Sequence, residues 1–587
     1  MSIPTSAASA HQQQFLERLR RFVLDETISQ RRQIELVWSQ PLPARVAAGK
    51  AIEGVAIADI HQDGRILCTC SRNISRFREG DILCLNRNSP FFQPNVMLTL
   101  EEDEETRLLL TPQDNFNWGD LQPGSTDWVL DEGFLDLSHY ILDALNRVGD
   151  SLVGRTRILP LLQGETRPQF DHLLYDRGLE MGQAQDLNWS QSEALAGAYA
   201  SSLSYLIQGP PGTGKTLVLA HLAQALVSDG ERVLVTALTH RAINNALNKL
   251  HGINPDIPSI KIGPPSRADD LLVDNYATFG ESPVRNRADG YVIGATPFAP
   301  YTSRLAGVEF DTVIFDEASQ ITLPLAIMGM LTAQRYIFIG DQQQLPPVLV
   351  SRRPQDPLAQ GVFHALSGEQ RRLTMLDETY RLNTALTEWP SRHFYEGALR
   401  SAPQAAGRQL ALRHRPQRLR RLLDPAEPLV FWDMDQQNTT TRSHREASAV
   451  ADLILVLLDA GMPPQEIGVV APYRAQGREI RHRLHEVLGD AAIRQRIVVD
   501  TVERMQGQER EVIILSLTTS SAAFAAQLAD FFFQPQRLNV AVTRSRSKLI
   551  IVGSRHVLQA LPADPEWQEA VQLLADLLNH CTYIAAS

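Results

Sequence analysis

The chain has few cysteines, no long apolar run and no excess of basic side chains. Its 587 residues include only four cysteines, at Cys68, Cys70, Cys84 and Cys581. They form no paired C-x-x-C arrangement, so neither a disulfide scaffold nor a zinc module is predicted, and a reducing, cytoplasmic compartment is expected. The closest approach to a membrane span, Leu453–Leu458, is bracketed by Asp452 and Asp459, so no membrane association is predicted.

The acidic balance of the chain, with a net charge of −11, is not the signature of a nucleic-acid-binding surface. A large protein can still hold a basic channel within an acidic shell, so the charge does not exclude such binding. The densest basic run, Arg413–Arg421, is interpreted as a solvated loop, with a phosphate-contacting patch as the alternative. The acid-poor N-terminus is interpreted as a first helix rather than a transit peptide.

A chain of 587 residues is too long for one hydrophobic core, and three to four domains are expected. Residues 11–38 and 135–163 show helical spacing, while the stretch from about 49 to 130 alternates short β-like runs with turn signals. A small antiparallel barrel carried on a helical stalk is therefore predicted. The predicted domain ranges are 1–45 (stalk helix), 46–132 (barrel), 133–185 (stalk helices and linker), 186–368 and 369–587.

Strands and helices alternate from about residue 187 onward. Several of the strands are continuously apolar, as parallel strands buried on both faces should be. The pattern predicts a doubly wound α/β fold with two sheets that divide near residues 360–370. The predicted strands are 204–208, 232–237, 291–295, 311–315, 335–340, 429–434, 467–471, 497–501, 512–517 and 548–553.

A glycine-rich loop between a predicted strand and a predicted helix carries the strongest motif. The sequence GPPGTGKT fits the strand–GxxxxGK[ST]–helix pattern of a P-loop, whose backbone N–H groups surround a phosphate. Lys215 is predicted to reach the β- and γ-phosphates, and the Thr216 hydroxyl to ligate Mg²⁺. The predicted phosphate-binding residues are Gly209, Pro210, Pro211, Gly212, Thr213, Gly214, Lys215 and Thr216.

Two further loops follow apolar strands and bear polar side chains. Asp316 and Glu317 come directly after the strand that ends at Phe315. Asp316 is predicted to hold Mg²⁺, and Glu317 to orient and deprotonate the attacking water. The loop GDQQQLPP, from Gly340 to Pro347, is placed to report whether a γ-phosphate is present.

Seven motifs follow one another along the second part of the chain: GPPGTGKT, DEAS, GDQQQLPP, LDETYRLN (376–383), VVAPYRAQ (469–476), DTVERMQGQE (500–509) and RLNVAVTRSR (537–546). In this order they resemble the motifs of the superfamily-1 helicases. They are similar, more narrowly, to the 5′→3′ subgroup typified by the nonsense-mediated-decay helicase and its DNA-acting relatives. The resemblance covers about residues 185–560 and implies two RecA-like domains with ATP between them, while the barrel resembles the β-barrel insertion of that group.

The resemblance implies which residues contact the base and the ribose. Gln191 corresponds to a glutamine that reads the adenine edge, which an amide can do bidentately. Tyr473 corresponds to an aromatic ring that stacks on the adenine, with a core tyrosine at a strand end as the alternative. Glu509 matches the acid that contacts the ribose.

The resemblance also implies a γ-phosphate sensor at Gln344 and two arginine fingers at Arg381 and Arg544. Guanidinium groups are planar, permanently charged and bidentate, which suits transition-state charge on a phosphoryl group. Because the fingers come from the second domain, they would act only when the cleft closes.

Nucleic-acid contacts implied by the resemblance fall on loops at the sheet edges. Small hydroxyl residues and backbone N–H groups hold phosphates without reading bases, although a lone threonine is more often a helix cap. The family has Ser-Asn at the first two matching positions, and QYRMH where this chain has TYRLN, so one contact near the nucleotide is shortened. The matching residues are Thr239, His240, Thr296 and Thr501.

The sequence therefore predicts an ATP-dependent, Mg²⁺-requiring helicase or translocase that moves 5′→3′ on single-stranded nucleic acid, with DNA favoured over RNA. It would act as a monomer or within a larger assembly. The alternatives are an ATP-gated clamp that remodels a nucleoprotein without separating strands, and a P-loop switch that is independent of nucleic acid. No nuclease core is visible, and Phe531–Phe533 is interpreted as core rather than as a base-stacking platform.

Overall fold

The computed structural model describes most of the chain, and its described part divides into two compact units. The first unit comprises Met1–Leu159, Leu323–Leu331 and Val348–Ala359; the second comprises Pro160–Thr322, Thr332–Pro347 and Gln360–Ser587. No helix in the described stretches is long and apolar enough to cross a bilayer. The described residues are 8–62, 64–73, 75–77, 80–104, 106–113, 119, 121–166, 169–268, 270–351, 356–368 and 373–586.

The first unit begins with the long helix α1 (Ala10–Trp38), which a capping box starts. The Ser9 hydroxyl accepts from the Gln12 N–H and the Gln12 side chain accepts from the Ser9 N–H, which satisfies two donors that a helix start leaves open. Pro41 precedes a short second helix, α2 (Leu42–Ala47). The predicted first helix and its end before the prolines are confirmed.

Six antiparallel strands then form a closed barrel with the order β1-β2-β5-β4-β3-β6. Closure leaves no unpaired sheet edge, and buried aliphatic side chains such as Val55, Ile57 and Leu83 fill the interior. The predicted barrel is confirmed. Its strands are β1 (Ala51–Ile60), β2 (Ile66–Thr69), β3 (Ile82–Asn86), β4 (Asn95–Asp103), β5 (Arg107–Pro112) and β6 (Trp128–Glu132).

The stalk region continues with α3 (Ser138–Asp150), a π-helical turn at Gly154–Ile158, and α4 (Leu159–Leu162). Within the first unit, α3 packs on α1 and on the helix Leu323–Met330, although that helix belongs by sequence to the α/β part of the chain. The Glu26 carboxylate of α1 accepts hydrogen bonds from the backbone N–H groups of Val350 and Ser351, both at 2.8 Å. Two segments of the α/β sequence thus complete the stalk.

A parallel sheet of eight strands, in the order β10-β9-β11-β8-β12-β13-β7-β14, forms the first α/β domain. Its central strands are buried on both faces between helices. The strands are β7 (Ser204–Gln208), β8 (Arg232–Thr236), β9 (Ser259–Ile262), β10 (Asn275–Tyr276), β11 (Tyr291–Gly294), β12 (Thr312–Phe315), β13 (Arg335–Gly340) and β14 (Leu373–Met375). The helices of this domain are α5 (His172–Ala184), α6 (Trp189–Ala200), α7 (Lys215–Ser228), α8 (His240–Ile253) and α10 (Gly361–Leu366). The intervening helix α9 (Leu323–Met330) is the one that packs on α3 in the first unit.

A second parallel sheet, in the order β19-β18-β20-β21-β17-β22, forms the second α/β domain, which also carries the two-stranded sheet of β15 (Glu378–Thr379) and β16 (Arg400–Ser401). The strands of the larger sheet are β17 (Leu429–Asp433), β18 (Ile467–Ala471), β19 (Val498–Thr501), β20 (Arg510–Ser516), β21 (Ser545–Gly553) and β22 (Thr582–Ala585). The helices are α11 (Thr384–Phe394), α12 (Pro403–Ala406), α13 (His444–Asp459), α14 (Arg474–Val487), α15 (Ala491–Arg496), α16 (Val502–Met505), α17 (Ala522–Gln527), α18 (Ala529–Phe532), α19 (Pro535–Val542) and α20 (Pro565–His580).

The predicted fold class, two parallel-sheet α/β domains preceded in the sequence by a barrel, is confirmed. All the strands predicted for the α/β part are present, with ends that shift by at most about three residues. The sequence analysis did not predict β9, β10, β14, β15, β16 and β22, which have two to four residues each. β14 pairs with β7 in the first sheet, although it lies beyond the predicted boundary between residues 368 and 369. The predicted domain ranges stay predictions.

Candidate nucleotide site

The P-loop connects β7 to α7 and has the tight geometry that its glycines predict. Gly212 and Gly214 adopt left-handed backbone conformations, with φ of +75° and +86°. A Cβ on Gly214 would lie 2.6 Å from the Gln191 amide nitrogen, so any other residue there would displace the Gln191 side chain as well as strain the backbone. The Lys215 ammonium group donates to the Gly209 carbonyl at 2.6 Å and therefore lies along the loop. These features make a backbone-lined cradle at the start of a long helix, which suits phosphate groups.

The two adjacent acids lie where β12 ends. Asp316 is nearly fully buried, and its carboxylate accepts from the Glu317 N–H at 3.0 Å. Glu317 adopts a left-handed conformation with φ of +50°, which is rare outside glycine, asparagine and aspartate. The Gln506 side-chain amide of the second α/β domain donates to the Glu317 carboxylate at 3.3 Å. Glu317 therefore already has a hydrogen-bond partner from across the cleft.

The donor set around Asp316 fits a magnesium ion. Burial, and then the neighbouring Glu317 carboxylate, raises the pKa of Asp316 to about 7, while Lys215 opposes this shift. A divalent cation next to such a carboxyl would favour its charged form. The Thr216 hydroxyl, in the first turn of α7, supplies a second hard oxygen. Mg²⁺ prefers oxygen ligands and usually combines one or two protein oxygens with substrate phosphates and waters.

The predicted sensor, Gln344, lies in the loop that follows β13 and is almost completely buried. Its amide nitrogen donates to the Asp341 carboxylate at 2.8 Å. Asp341, fully buried, also accepts from the Gln343 N–H at 3.1 Å and from the Tyr395 hydroxyl of the second α/β domain at 2.8 Å. The loop is therefore fixed by both domains.

The first predicted finger, Arg381, follows a segment of the second α/β domain that lies directly on the P-loop. The Thr379 hydroxyl donates to the Pro211 carbonyl at 2.7 Å, and the Tyr380 N–H donates to the Gly212 carbonyl at 2.8 Å. The Arg381 guanidinium donates to the Glu509 carboxylate at 2.6 Å. The structure thus brings Arg381 and Glu509 together at the rim of the phosphate cradle.

The second predicted finger, Arg544, is buried and held by its own domain. Its Nε donates to the Val540 carbonyl at 2.8 Å, and its Nη1 to the Gln508 carbonyl at 3.3 Å. Burial, and then the neighbouring Arg381, lowers the pKa of Arg544 to about 9, while the Glu317 carboxylate opposes this shift. Arg544 is therefore close enough to interact with both Arg381 and Glu317, although the three residues are far apart in the sequence.

Gln191 serves a structural role that the sequence did not predict. It is the third residue of a capping box that begins α6: its amide oxygen accepts from the Asn188 N–H at 3.1 Å, and its amide nitrogen donates to the Thr213 carbonyl at 2.9 Å. The Asn188 side chain in turn donates to the Tyr380 hydroxyl at 2.9 Å. Tyr380 is therefore an aromatic residue at the Gln191 end of the cleft that sequence reasoning missed, although its place beside Arg381 in the motif was visible.

The structure does not bring Tyr473 to this end of the cleft. Tyr473 follows β18 and stacks on Phe531 at 5.6 Å between ring centroids. Glu509 instead precedes β20, which runs parallel to β18, so about 17 Å of strand separates the two positions. Tyr473 lies with Thr501, because Ala471 and Thr501 are paired at the ends of β18 and β19.

The predicted nucleic-acid residues of the first domain lie together at one edge of its sheet. Thr239 and His240 follow β8, and Thr296 follows β11, the neighbouring parallel strand. The Thr239 hydroxyl accepts from the Ala242 N–H at 3.3 Å, so Thr239 caps α8 as well. Thr501 occupies the corresponding edge of the second sheet. These positions stay predictions.

A cluster of cations surrounds His240 at this edge. Burial, and then Lys261, Arg267 and Arg304, lowers the pKa of His240 to about 3. No spacing in the sequence connected these side chains, because they come from separate elements: His240 begins α8, Lys261 lies on β9 and Arg267 lies in a 3₁₀ turn. An anion such as a phosphodiester would relieve the repulsion within the cluster.

The basic run predicted as a solvated loop lies elsewhere, beside the end of α13. The Arg413 N–H donates to the Ala460 carbonyl at 2.9 Å, and the Arg418 guanidinium lies 3.3 Å from the Asp452 carboxylate. His414, Arg415 and Arg418 are exposed, whereas Pro416 is buried.

Comparison with known families matches each of the two α/β domains to a family of AAA domains. One family profile described as AAA domain matches residues 358–556, and a second with the same description matches residues 186–288 and 288–352. These matches span both α/β domains and exclude the barrel.

Curated relatives are similar over the same part of the chain. The DNA replication ATP-dependent helicase/nuclease dna2 of Schizosaccharomyces pombe is 27% identical over 402 residues, covering 64% of this chain and 28% of the relative. The regulator of nonsense transcripts 1 homolog of Drosophila melanogaster is 30% identical over 422 residues, which cover 64% of this chain and 35% of the relative. The human DNA replication ATP-dependent helicase/nuclease DNA2 is 27% identical, covering 67% and 38%. The chain therefore spans about a third of the length of these relatives.

Among solved structures, the Arterivirus nonstructural protein 10 (helicase) aligns with 87% of this chain at 14% identity and a TM-score of 0.38. The fold rests on the two sheets and the barrel of the chain itself.

Proposed function

Because the chain belongs to the superfamily-1 helicases over its two α/β domains, we propose that it hydrolyses ATP and moves 5′→3′ along a single strand of nucleic acid, with DNA favoured over RNA. The observation that carries the proposal is the position of two arginines of the second domain at the nucleotide site. Arg544 interacts with Glu317, and Arg381, which bonds to Glu509, directly follows the residue whose N–H donates to the P-loop. An ATPase built across two domains can convert hydrolysis into relative movement of those domains. We propose 186–368 and 369–587 as their approximate limits.

The phosphates of ATP would lie in the backbone cradle of Gly209–Thr216. Lys215 would exchange its hydrogen bond with the Gly209 carbonyl for the β- and γ-phosphates. Mg²⁺, when held by Thr216 and Asp316, would neutralise charge that develops on the phosphate oxygens. The burial of Asp316 supports this role, because a buried carboxylate needs a nearby positive charge.

Glu317 would take a proton from the attacking water. At the same time the water oxygen would bond to the γ-phosphorus, and the bond between the γ-phosphorus and the ADP oxygen would break. The Gln506 amide, 3.3 Å from the Glu317 carboxylate, would fix the direction of that carboxylate. Arg381 and Arg544 would stabilise charge on the transferred phosphoryl group. Both guanidinium groups are already held by hydrogen bonds within the second domain, which limits the entropy lost in positioning them.

At the base end, we propose that the Tyr380 ring packs on the adenine and that Gln191 contacts its edge after giving up its bond to Thr213. Glu509, which bonds Arg381, would contact the ribose. Tyr473 is proposed here for the nucleic-acid side, because it lies beside Thr501.

We propose that the single strand contacts Thr239, His240 and Thr296 on the first domain and Thr501 on the second. The cations around His240 support this path, because they are collected at one edge of the sheet in an acidic chain. Cleft opening and closing would change the distance between the two sets of contacts and so advance the strand.

The test is ATP turnover with matched single-stranded DNA and RNA, with Lys215→Ala as the inactive control. The proposal expects turnover that rises at least tenfold with a single strand, and displacement of a duplex bearing a 5′ overhang but not a 3′ overhang. Turnover that is indifferent to both nucleic acids would overturn it, and stimulated turnover without any displacement would favour a clamp.

A further inference from the structure

We propose that Tyr395 and Asn539 are positioning residues that connect the γ-phosphate sensor loop to the Arg544 finger across the cleft. The inference rests on the proposed ATPase function. It assigns a task to two buried side chains that the proposed chemistry does not use, although Asn539 lies within the motif RLNVAVTRSR.

The Tyr395 hydroxyl has the same acceptor as the predicted sensor. Tyr395, at the end of α11, donates to Asp341 Oδ2 at 2.8 Å, and Gln344 Nε2 donates to that same oxygen at 2.8 Å. Burial, and then the Asp341 carboxylate, raises the pKa of Tyr395 well above 10, so its hydroxyl keeps the proton that it donates. Sensor and tyrosine therefore share one carboxylate oxygen.

Asn539 completes the connection from the second domain. This residue of α19 is fully buried, and its amide nitrogen donates both to the Gln343 carbonyl at 2.8 Å and to the Tyr395 hydroxyl at 2.9 Å. The next residue along the helix, Val540, provides the carbonyl that accepts from Arg544 Nε at 2.8 Å. One helix therefore holds both the sensor loop and the finger.

An apolar contact strengthens the attachment. Leu345, directly after the sensor, is buried in the hydrophobic core of the second domain together with Leu382 and Trp389. The sensor loop is thus a part of the first domain that is fastened to the second by one side chain in its core and by two polar side chains. A displacement of the loop must also displace α11 and α19, because closely packed groups cannot shift independently.

The shared oxygen explains how a γ-phosphate would be reported. When Gln344 turns toward a γ-phosphate, its amide leaves Asp341 Oδ2 and the Tyr395 hydroxyl becomes the remaining side-chain donor to that oxygen. A hydrogen bond to a buried carboxylate is strong when it is not shared, so the bond to Tyr395 tightens. Through Asn539, this draws α19 and Arg544 toward the cleft.

The test is Tyr395→Phe in the full chain, which removes the hydroxyl and keeps the ring. The expected result is a kcat for ATP about tenfold lower, a KM for ATP within twofold of wild type, and a reduced stimulation by single strands. Tyr336→Phe is the matched control, because Tyr336 is also fully buried and donates one hydrogen bond, at 3.2 Å to the Ala333 carbonyl, away from the cleft. It should leave kcat unchanged.

Epistasis separates coupling from simple packing. If Tyr395 acts through the sensor, Tyr395→Phe should cause little further loss when combined with Gln344→Ala, and Asn539→Ser should reproduce its kcat defect. A folded Tyr395→Phe variant with wild-type kcat and stimulation would overturn the inference, while an inactive wild type would overturn the proposed function instead. Should Tyr395→Phe fail to fold, the same measurements on Asn539→Ser decide, with a wild-type kcat counting against the inference.

Discussion

The two α/β domains face the cleft with opposite ends of their strands. In the first domain, the P-loop follows β7, the acid pair follows β12 and the sensor loop follows β13, all at the C-terminal edge of the sheet. In the second domain, Glu509 and Arg544 precede β20 and β21, at the N-terminal edge. The C-terminal edge of the second sheet, with Tyr473 and Thr501, does not face the nucleotide site, and we propose it for contacts with nucleic acid.

The two domains present different chemical groups to the cleft. The first wall offers backbone N–H groups, a lysine and carboxylates, whose charges need a ligand to balance them. The second wall offers guanidinium groups that already bond to their own domain: Arg544 to the Val540 carbonyl, and Arg381 to the Thr543 carbonyl. We infer that the second wall moves as one preassembled group of donors, whereas the first binds the substrate.

The largest expected effect comes from breaking the first wall. Glu317→Gln should lower kcat by about a thousandfold, because general-base assistance contributes typically 10² to 10⁴, and should leave ATP binding intact. Single-turnover hydrolysis together with ATP affinity measures both quantities. Glu281→Gln, an exposed acid of the same domain, is the matched control and should behave as wild type. Unchanged turnover in Glu317→Gln would refute the base assignment.

A smaller effect, on the KM for ATP, distinguishes Tyr380 from Tyr473, which lie at opposite edges of the second domain. Tyr380→Leu should raise the KM for ATP about tenfold, because an aromatic contact contributes about 0.5–1.5 kcal/mol beyond its buried area. Tyr473→Leu should leave that KM within about twofold, since Tyr473 lies at the other end of β18. Steady-state kinetics for both variants tests this contrast. A KM raised only in Tyr473→Leu would restore Tyr473 as the adenine-stacking residue.

The smallest effect concerns the cation cluster at the C-terminal edge of the first sheet. Arg304→Gln should weaken single-strand binding about threefold and lower the slope of log K against log salt by about 0.7, as expected for one lost phosphate contact. Arg285→Gln, an exposed arginine of the same domain, is the control. Binding isotherms between low and moderate salt provide the measurement. An unchanged slope would remove this cluster from the proposed path.

The sequence predicted most of what lies next to a motif. Lys215, Asp316 and Glu317 sit at strand ends that apolar runs mark clearly, so both their identity and their side of the sheet were readable. The four-residue strand β12 was predicted from its apolar run, whereas β9, β10 and β14 were missed because polar residues (Lys261, Asn275 and Thr374) interrupt their two to four positions.

Contacts that depend on register and on separate loops could not be predicted. Tyr473 and Glu509 both belong to recognisable motifs, but only strand pairing shows that they lie at opposite ends of the second sheet. The Asp341–Tyr395–Asn539 hydrogen bonds join residues up to about two hundred positions apart, and none of the three carries a local signature of that contact. Gln191 was predicted to contact the adenine edge through its amide, but its position in the capping box of α6 was not predicted.

The most direct test of the shared site is ATP turnover, at saturating ATP and single-stranded nucleic acid, in an Arg381→Ala variant. An arginine that stabilises phosphoryl-transfer charge contributes about 10³ to 10⁵ in kcat, so the account predicts turnover at least a thousandfold below wild type with ATP binding retained. Arg392→Ala, which removes an exposed arginine of α11 paired with Glu388, should match wild type. Turnover within tenfold of wild type in Arg381→Ala would contradict a nucleotide site completed by the second domain.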